Sequence, residues 1–287
     1  MGGERLGLGG KEFQRVLDEL RTRLSDGTYR VGSRLATQRS LADEFDVSRD
    51  TVQRVLRILT TEGWIKARQG SGALVIKVPK VHSTSPAGGR VHLGELIDRT
   101  FEQPEVKLDV FTLTSESLDA HLRLQAARIH AEEIRPQRIT VRLLLPSESL
   151  DLPYPRAKGA PEDPRPQERL RSITRAHTQS LRRVLQELRS EGLVPSVEVE
   201  IRRVRLEPSF KLYLLNGTAA LFGPYEVVER RIPLDDGEEI DAVDVRGLGS
   251  DLIHYAKEDG AGPLSQGSLF VRSMESWFNS CWDLLAE

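Results

Sequence analysis

Residues 49–78 set an amphipathic helix directly against a hairpin, an order that few folds accept. In RDTVQRVLRILTTEG, Val52, Val55, Leu56 and Leu59 share one face at helical spacing, and Gly63 ends the run. The residues that follow, WIKARQGSGALVIKV, read as two short strands around a Gln-Gly-Ser-Gly tip. Upstream, residues 11–25 align Phe13, Val16, Leu17, Leu20 and Leu24 on a helical stripe. DGTYRVGS is a turn signal, TQRSLADEF fits a short helix with Thr37 as N-cap, and DVS is a tight connection.

Three helices and a hairpin in this order make an α+β winged helix-turn-helix. Its third helix enters the major groove and presents polar side chains at its N-terminal end. Here that end offers Ser48, Arg49, Asp50, Thr51 and Gln53. Ser48 stands as an N-cap, where its hydroxyl and the helix N-terminus suit a phosphate. Arg49 can read guanine bidentately, Thr51 can touch a phosphate or a thymine methyl, and Gln53 favours adenine. Arg68 and the tip can lie along an adjacent groove. A winged helix used for protein contact is the bland alternative.

Residues 27–75 closely resemble the GntR family of bacterial transcription regulators. The match runs through a glycine turn, a Leu-x-Thr-x-Arg helix start, Val-Ser-Arg-x-Thr-Val, Leu-x-x-Glu-Gly and a glycine-containing wing. The resemblance implies that Arg39, Arg49, Thr51 and Gly70 fall at DNA contacts. Two positions depart from the family: LATQR (35–39) lacks the usual proline, and Gln53, with Arg54 beside it, replaces a frequent second arginine.

Charge supports a division of labour. Residues 1–80 carry 15 Lys and Arg against 10 Asp and Glu, while the remainder carries 26 against 33. A basic module joined to an acidic one suggests that the first meets a polyanion. A chain of 287 residues accommodates two cores. The single cysteine, Cys281, forms no internal disulfide, and with neither a signal peptide nor an apolar run long enough for a membrane the expected compartment is the cytoplasm.

The expected organisation is a DNA-binding module at 1–78, a Pro/Ser/Gly-rich linker at 79–90 and an α/β domain at 91–287, with a mixed sheet and packed helices. Strands are expected at 106–113, 138–146 and 196–206, and helices at 115–134, 166–190 and 268–286. The acidic run 234–244 reads as a solvated loop. Arg202, Arg203 and Arg205 read as a basic-protected edge strand, or as charge for a ligand. The six histidines show no metal-ligand spacing, so no metal and no cofactor are expected.

SFKLYLLNGTAALFGPYE (209–226) is the informative stretch of this second region. Asn-Gly between alternating apolar residues signals a hairpin, with Leu214 facing Ala219, Leu212 facing Leu221 and Phe210 over Gly223. The same stretch resembles a degenerate phospholipase D-like motif, His-x-Lys-x4-Asp-x6-Gly-Ser-x-Asn, with Ser209, Lys211, Asn216, Gly223, Pro224 and Glu226 at those positions. The resemblance implies an enzyme scaffold without its nucleophilic histidine, and therefore no catalysis of that type. Ser209, Lys211 and Asn216 would then line a pocket for a small anionic ligand. The expected protein is a homodimeric regulator on a two-fold operator, controlled by ligand or dimerisation, with α-helix 268–286 as a candidate dimer contact. A DNA-targeted phosphodiesterase and a regulator with a purely assembling second domain are the rivals.

Overall fold

The computed structural model describes residues 12–13, 15–17, 19–20, 23–24, 28–29, 32–61, 64–68, 72–75, 81–83, 93–246, 252–258 and 265–287. It divides into two compact units. Unit 1 is Met1–Pro79, Tyr154–Arg169 and Val227–Gly249; unit 2 is Lys80–Pro153, Leu170–Glu226 and Ser250–Glu287.

In unit 1, the described residues between 12 and 24 are helical (α1), followed by α2 (Gln38–Phe45) and α3 (Arg49–Thr61). The apolar stripe of α1 is buried as its spacing requires, with Val16, Leu20 and Leu24 fully enclosed against Leu41, Val52, Val55 and Leu59. Asp46, in the left-handed region at φ 52°, ends α2, and the Val47 N–H returns to the Ala42 carbonyl, which turns the chain into α3. Strands β1 (Ile65–Arg68) and β2 (Gly72–Val75) pair antiparallel. The segment read as a turn also adds to this sheet. Gly32 and Leu35 donate to Val75 and Ala73, and Val75 donates back to Ser33.

Unit 1 also holds a three-stranded sheet in the order β10-β11-β6, from β6 (Arg156–Ala157), β10 (Glu226–Pro233) and β11 (Glu239–Arg246). The expected acidic loop is thus largely strand. Period-two alternation in EIDAVDVR buries Ala242 and Asp244, Val245 is buried beside them, and Asp244 is neutralised by Arg230 at 2.8 Å.

Unit 2 is built on a seven-stranded mixed sheet in the order β3-β12-β9-β8-β4-β5-β7. Its strands are β3 (Val81–Ser83), β4 (Glu105–Phe111), β5 (Arg138–Pro146), β7 (Ser196–Val204), β8 (Phe210–Leu215), β9 (Ala219–Pro224) and β12 (Leu252–Ala256). β4, β5 and β7 run parallel, whereas β8 lies antiparallel to β4. Helices α4 (Leu93–Phe101), α5 (Glu116–His130) and α6 (Arg165–Ser190) share one core with the sheet, and α7 (Gln266–Leu284) seals a separate core. The expected linker therefore contains β3, whose backbone finds the free edge of β12. Helix α4 is too short to stand out by periodicity, yet it buries Leu93, Leu96, Ile97 and Phe101.

The hairpin differs from expectation by one residue. Leu215 pairs with Ala219, Leu214 with Ala220, Leu212 with Phe222 and Phe210 with Pro224. Asn216 (φ 50°) and Gly217 (φ 64°) make the turn, and Thr218, whose N–H reaches the Leu215 carbonyl, is an extra residue before the ladder begins. One inserted residue shifts every cross-strand partner.

The apolar spacing of Met274, Trp277, Phe278, Cys281, Leu284 and Leu285 predicts one stripe along α7, but the buried face is turned from it. Val271, Phe278, Cys281 and Trp282 are buried, while Leu284 and Leu285 are 80% and 54% exposed. Trp282, outside that spacing, is 3% exposed, stacked on Phe278 and capped by Arg202 at 4.5 Å. β7 is an edge strand, as its arginines suggested. Glu287 exchanges two backbone hydrogen bonds with Arg203 along it.

Candidate nucleic-acid interface

The start of each helix in the helix-turn-helix is capped by a hydroxyl. Thr37 Oγ1 accepts from the Ser40 N–H at 3.2 Å, and Ser48 Oγ accepts from the Thr51 N–H at 3.1 Å. Ser48 and Thr51 also share a hydroxyl hydrogen bond of 2.9 Å. Thr51 is consequently 8% exposed, with its hydroxyl turned to the cap. Thr37, Arg39, Ser48, Arg49 and Gln53 are exposed.

Arg49 and Gln53 lie on one ridge of α3 at i and i+4, and the exposed Arg57 continues it at i+8. The sequence reading passed over Arg57, although the i+4 spacing from Gln53 marks it. Arg54, beside Gln53, lies over the Phe13 ring at 4.8 Å. Arg68 pairs with Gly72 in the wing ladder. The Arg68 side chain and Gly70 fall outside the described residues.

Residues 13–75 match the model of the bacterial regulatory proteins of the gntR family. The N-terminal module is a GntR winged helix. Over 64 residues it is 38% identical to the Exu regulon transcriptional regulator of Escherichia coli K12, a stretch covering 22% of this chain and 25% of that protein. Over 87 residues it is 30% identical to the Uxu operon regulator of Haemophilus influenzae, covering 29% and 33% of the two chains. Among solved structures, a part covering 23% of this chain and 32% of the other resembles Streptococcus agalactiae BusR in complex with its busAB promoter DNA, at 29% identity and a TM-score of 0.22. The chain thus spans about a quarter to a third of the length of these curated relatives. No helix among the described residues is long and apolar enough to cross a membrane.

The three residues expected to line an effector pocket do not converge. Ser209 is exposed, and its carbonyl accepts from the Tyr225 N–H at 2.9 Å. Asn216 sits at the hairpin tip, where Oδ1 accepts from the Lys107 N–H at 2.7 Å and its own N–H donates to the Lys107 carbonyl. Lys211 lies five residues away along β8, roughly 16 Å in an extended strand. It is 6% exposed, with Nζ 5.5 Å from the Tyr225 ring centroid. Burial pushes its pKa down from 10.5 to about 8, partly offset by the charge of Glu116.

Lys211 lies beside the carboxyl end of β4, where a parallel neighbour gives way to an antiparallel one. Thr112, Ser115 and Asp119 are buried on the adjoining segment, and the Tyr225 hydroxyl accepts from the Leu113 N–H at 2.8 Å. Asp119 bonds His177 Nδ1 at 2.8 Å.

Proposed function

We propose that this chain is a sequence-specific transcription regulator that reads operator DNA through α3 and the wing. The observation that carries this reading is the exposed ridge of Arg49, Gln53 and Arg57 on a hydroxyl-capped helix within the segment matching the gntR model. Arg49 reads a base edge, Ser48 and the helix N-terminus hold a phosphate, and Arg39, Thr37, Arg68 and Gly70 complete the footprint, while Thr51, turned inward, braces the Ser48 cap.

Arg49→Ala is expected to weaken binding to the specific site by about 1–3 kcal/mol and binding to a scrambled duplex much less. Fluorescence anisotropy at fixed salt, using DNA from upstream of the protein's own gene and then from other promoters, measures both. Equal loss on the two duplexes would make Arg49 a phosphate contact. Equal, salt-sensitive binding by the unmodified protein to every duplex would end the reading as a specific regulator.

Unit 2 serves as a ligand-sensing and dimerising domain in this reading. Its derivation from a phospholipase D-like scaffold is supported by the strand-turn-strand form of residues 209–226 and by the buried Lys211 beside the end of β4. Ser209, where the nucleophilic histidine would stand, removes catalysis of that type. Dimerisation through α7 is supported by the exposed Leu269 and Leu284, which lie symmetrically about Ser276 and Trp277, with Ser273 and Ser280 between them. A two-fold contact needs such self-complementarity. Leu284→Asp is expected to shift the protein from dimer to monomer in sedimentation velocity with its circular dichroism unchanged. A monomeric unmodified protein, or a variant that still dimerises, would exclude this surface.

A further inference from the structure

We propose that unit 2 carries, over the outer face of α6, a binding site for a small hydroxylated polyanion of the phosphorylated-sugar class. This site is separate from Lys211 and does not depend on the DNA-binding reading. An open cleft of about 810 Å³ is lined by Arg123, Arg175, Arg182, Arg183 and Arg203, from α5, α6 and β7. The part of α6 in unit 2, residues 170–190, carries five arginines against one glutamate, within a unit whose sequence is acidic as a whole. None of the cleft's described lining residues is acidic. Asp119, Glu148 and Glu187 pair with four of these five arginines, and the guanidiniums still outnumber the carboxylates, which leaves a field that attracts anions.

Two of these arginines already hold an anion. Glu148, which follows β5, lies outside the lining and is gripped from both sides. Arg175 Nε reaches its two oxygens at 3.2 and 3.1 Å, with Nη2 also in contact, and Arg203 Nη2 reaches Oε1 at 2.7 Å. The hydrogen bond from Arg175, followed by the charge of Arg203, holds the Glu148 carboxyl below its ordinary range. Glu148 is therefore an internal carboxylate in a two-guanidinium seat, and a ligand phosphate competes for the same donors.

The remaining groups narrow the ligand. Arg182 and Arg183 follow Arg175 by roughly 10–12 Å along the helix axis, so they would meet a second anionic group carried at the far end of the ligand. Arg123 is fixed in advance, with Nε and Nη2 on Ser180 Oγ at 3.1 and 2.7 Å and Nη2 3.3 Å from Asp119. Gln179, between Arg175 and Arg182, and Gln186, one turn beyond Arg182, offer carboxamides that can donate to and accept from hydroxyl groups. No aromatic ring is among the described lining residues, so a nucleobase has no stacking platform. The convergence of Arg175 and Arg203 on one carboxylate suits a compact anion better than the regular phosphate row of a duplex.

The test is calorimetric titration of the full chain, without DNA, with hexose monophosphates, hexose bisphosphates, the unphosphorylated hexose and inorganic phosphate at matched ionic strength. Saturable binding of a phosphorylated hexose, at least tenfold tighter than inorganic phosphate and absent for the plain sugar, is expected. Arg182→Gln with Arg183→Gln, two exposed positions, should weaken it about tenfold or more while the circular dichroism spectrum is kept. Glu148→Gln should tighten it several-fold by removing the internal competitor. The proposal is overturned if no sugar phosphate binds better than inorganic phosphate, or if the double variant binds equally well. It is also overturned if the double variant loses only salt-dependent affinity for duplex DNA, which would make α6 a DNA contact.

Discussion

Asp109→Ala is expected to destabilise unit 2 by about 3–5 kcal/mol, the cost of stranding a partly buried guanidinium. Asp109 on β4 and Arg142 on β5 are direct partners in the parallel ladder. They form two parallel bonds, Nε to Oδ1 and Nη2 to Oδ2, both 2.6 Å. The hydrogen bond from Asp109 is the main reason the Arg142 pKa is raised. The carboxylate is 5% exposed and the guanidinium 19%. Arg142 also lies 5.1 and 5.3 Å from the ring centroids of Phe278 and Trp282, and Nη2 donates to Asn279 Oδ1 at 2.9 Å. The pair thus fastens the parallel strands to α7. Without Asp109 the cation keeps those weaker partners and recovers little water. Urea unfolding followed by the fluorescence of Trp277 and Trp282 measures the loss, and adding Arg142→Met should recover much of it. A cost below about 1 kcal/mol would mean that solvent screens the pair as it does a surface bridge.

Lys211→Met is expected to act in the opposite direction and to change the pH dependence. The ordinary ammonium pKa of 10.5 falls to about 8 in the folded protein because the group is desolvated. Between those two values the unfolded chain binds more protons than the folded one, so stability rises as pH climbs from 8 to 10.5. Below pH 8 the full penalty remains, about 3 kcal/mol by the usual conversion. Methionine of similar length removes the desolvated charge and also loses the contact with Tyr225. The net expectation is a gain of about 2 kcal/mol at pH 7 and a flat profile between pH 8 and 10. Parallel denaturation curves at pH 7, 8, 9 and 10 decide it. A variant less stable than the parent at pH 7 would show that the charge of Lys211 is compensated in the fold.

The winged helix was legible because its signals are local. The stripe of Val52, Val55, Leu56 and Leu59, the caps Thr37 and Ser48, and the short turn before Arg49 each act within one or two helical turns. Sequence periodicity and cap chemistry therefore determine them. The major helices and parallel strands of unit 2 could be read for the same reason. Other features depended on which backbone edges and faces were left to cover. Strand β3 was read as linker because its partner, β12, lies about 170 residues away. One extra residue, Thr218, moved every hairpin partner, since period-two pairing has no tolerance for a slip. The faces of α7, the inward turn of Thr51 and the separation of Lys211 from Asn216 were likewise decided by packing. The arginine cleft is the same kind of case. Arg123, Arg175 and Arg203 lie on two helices and an edge strand, and only the tertiary fold gathers their charge over one face.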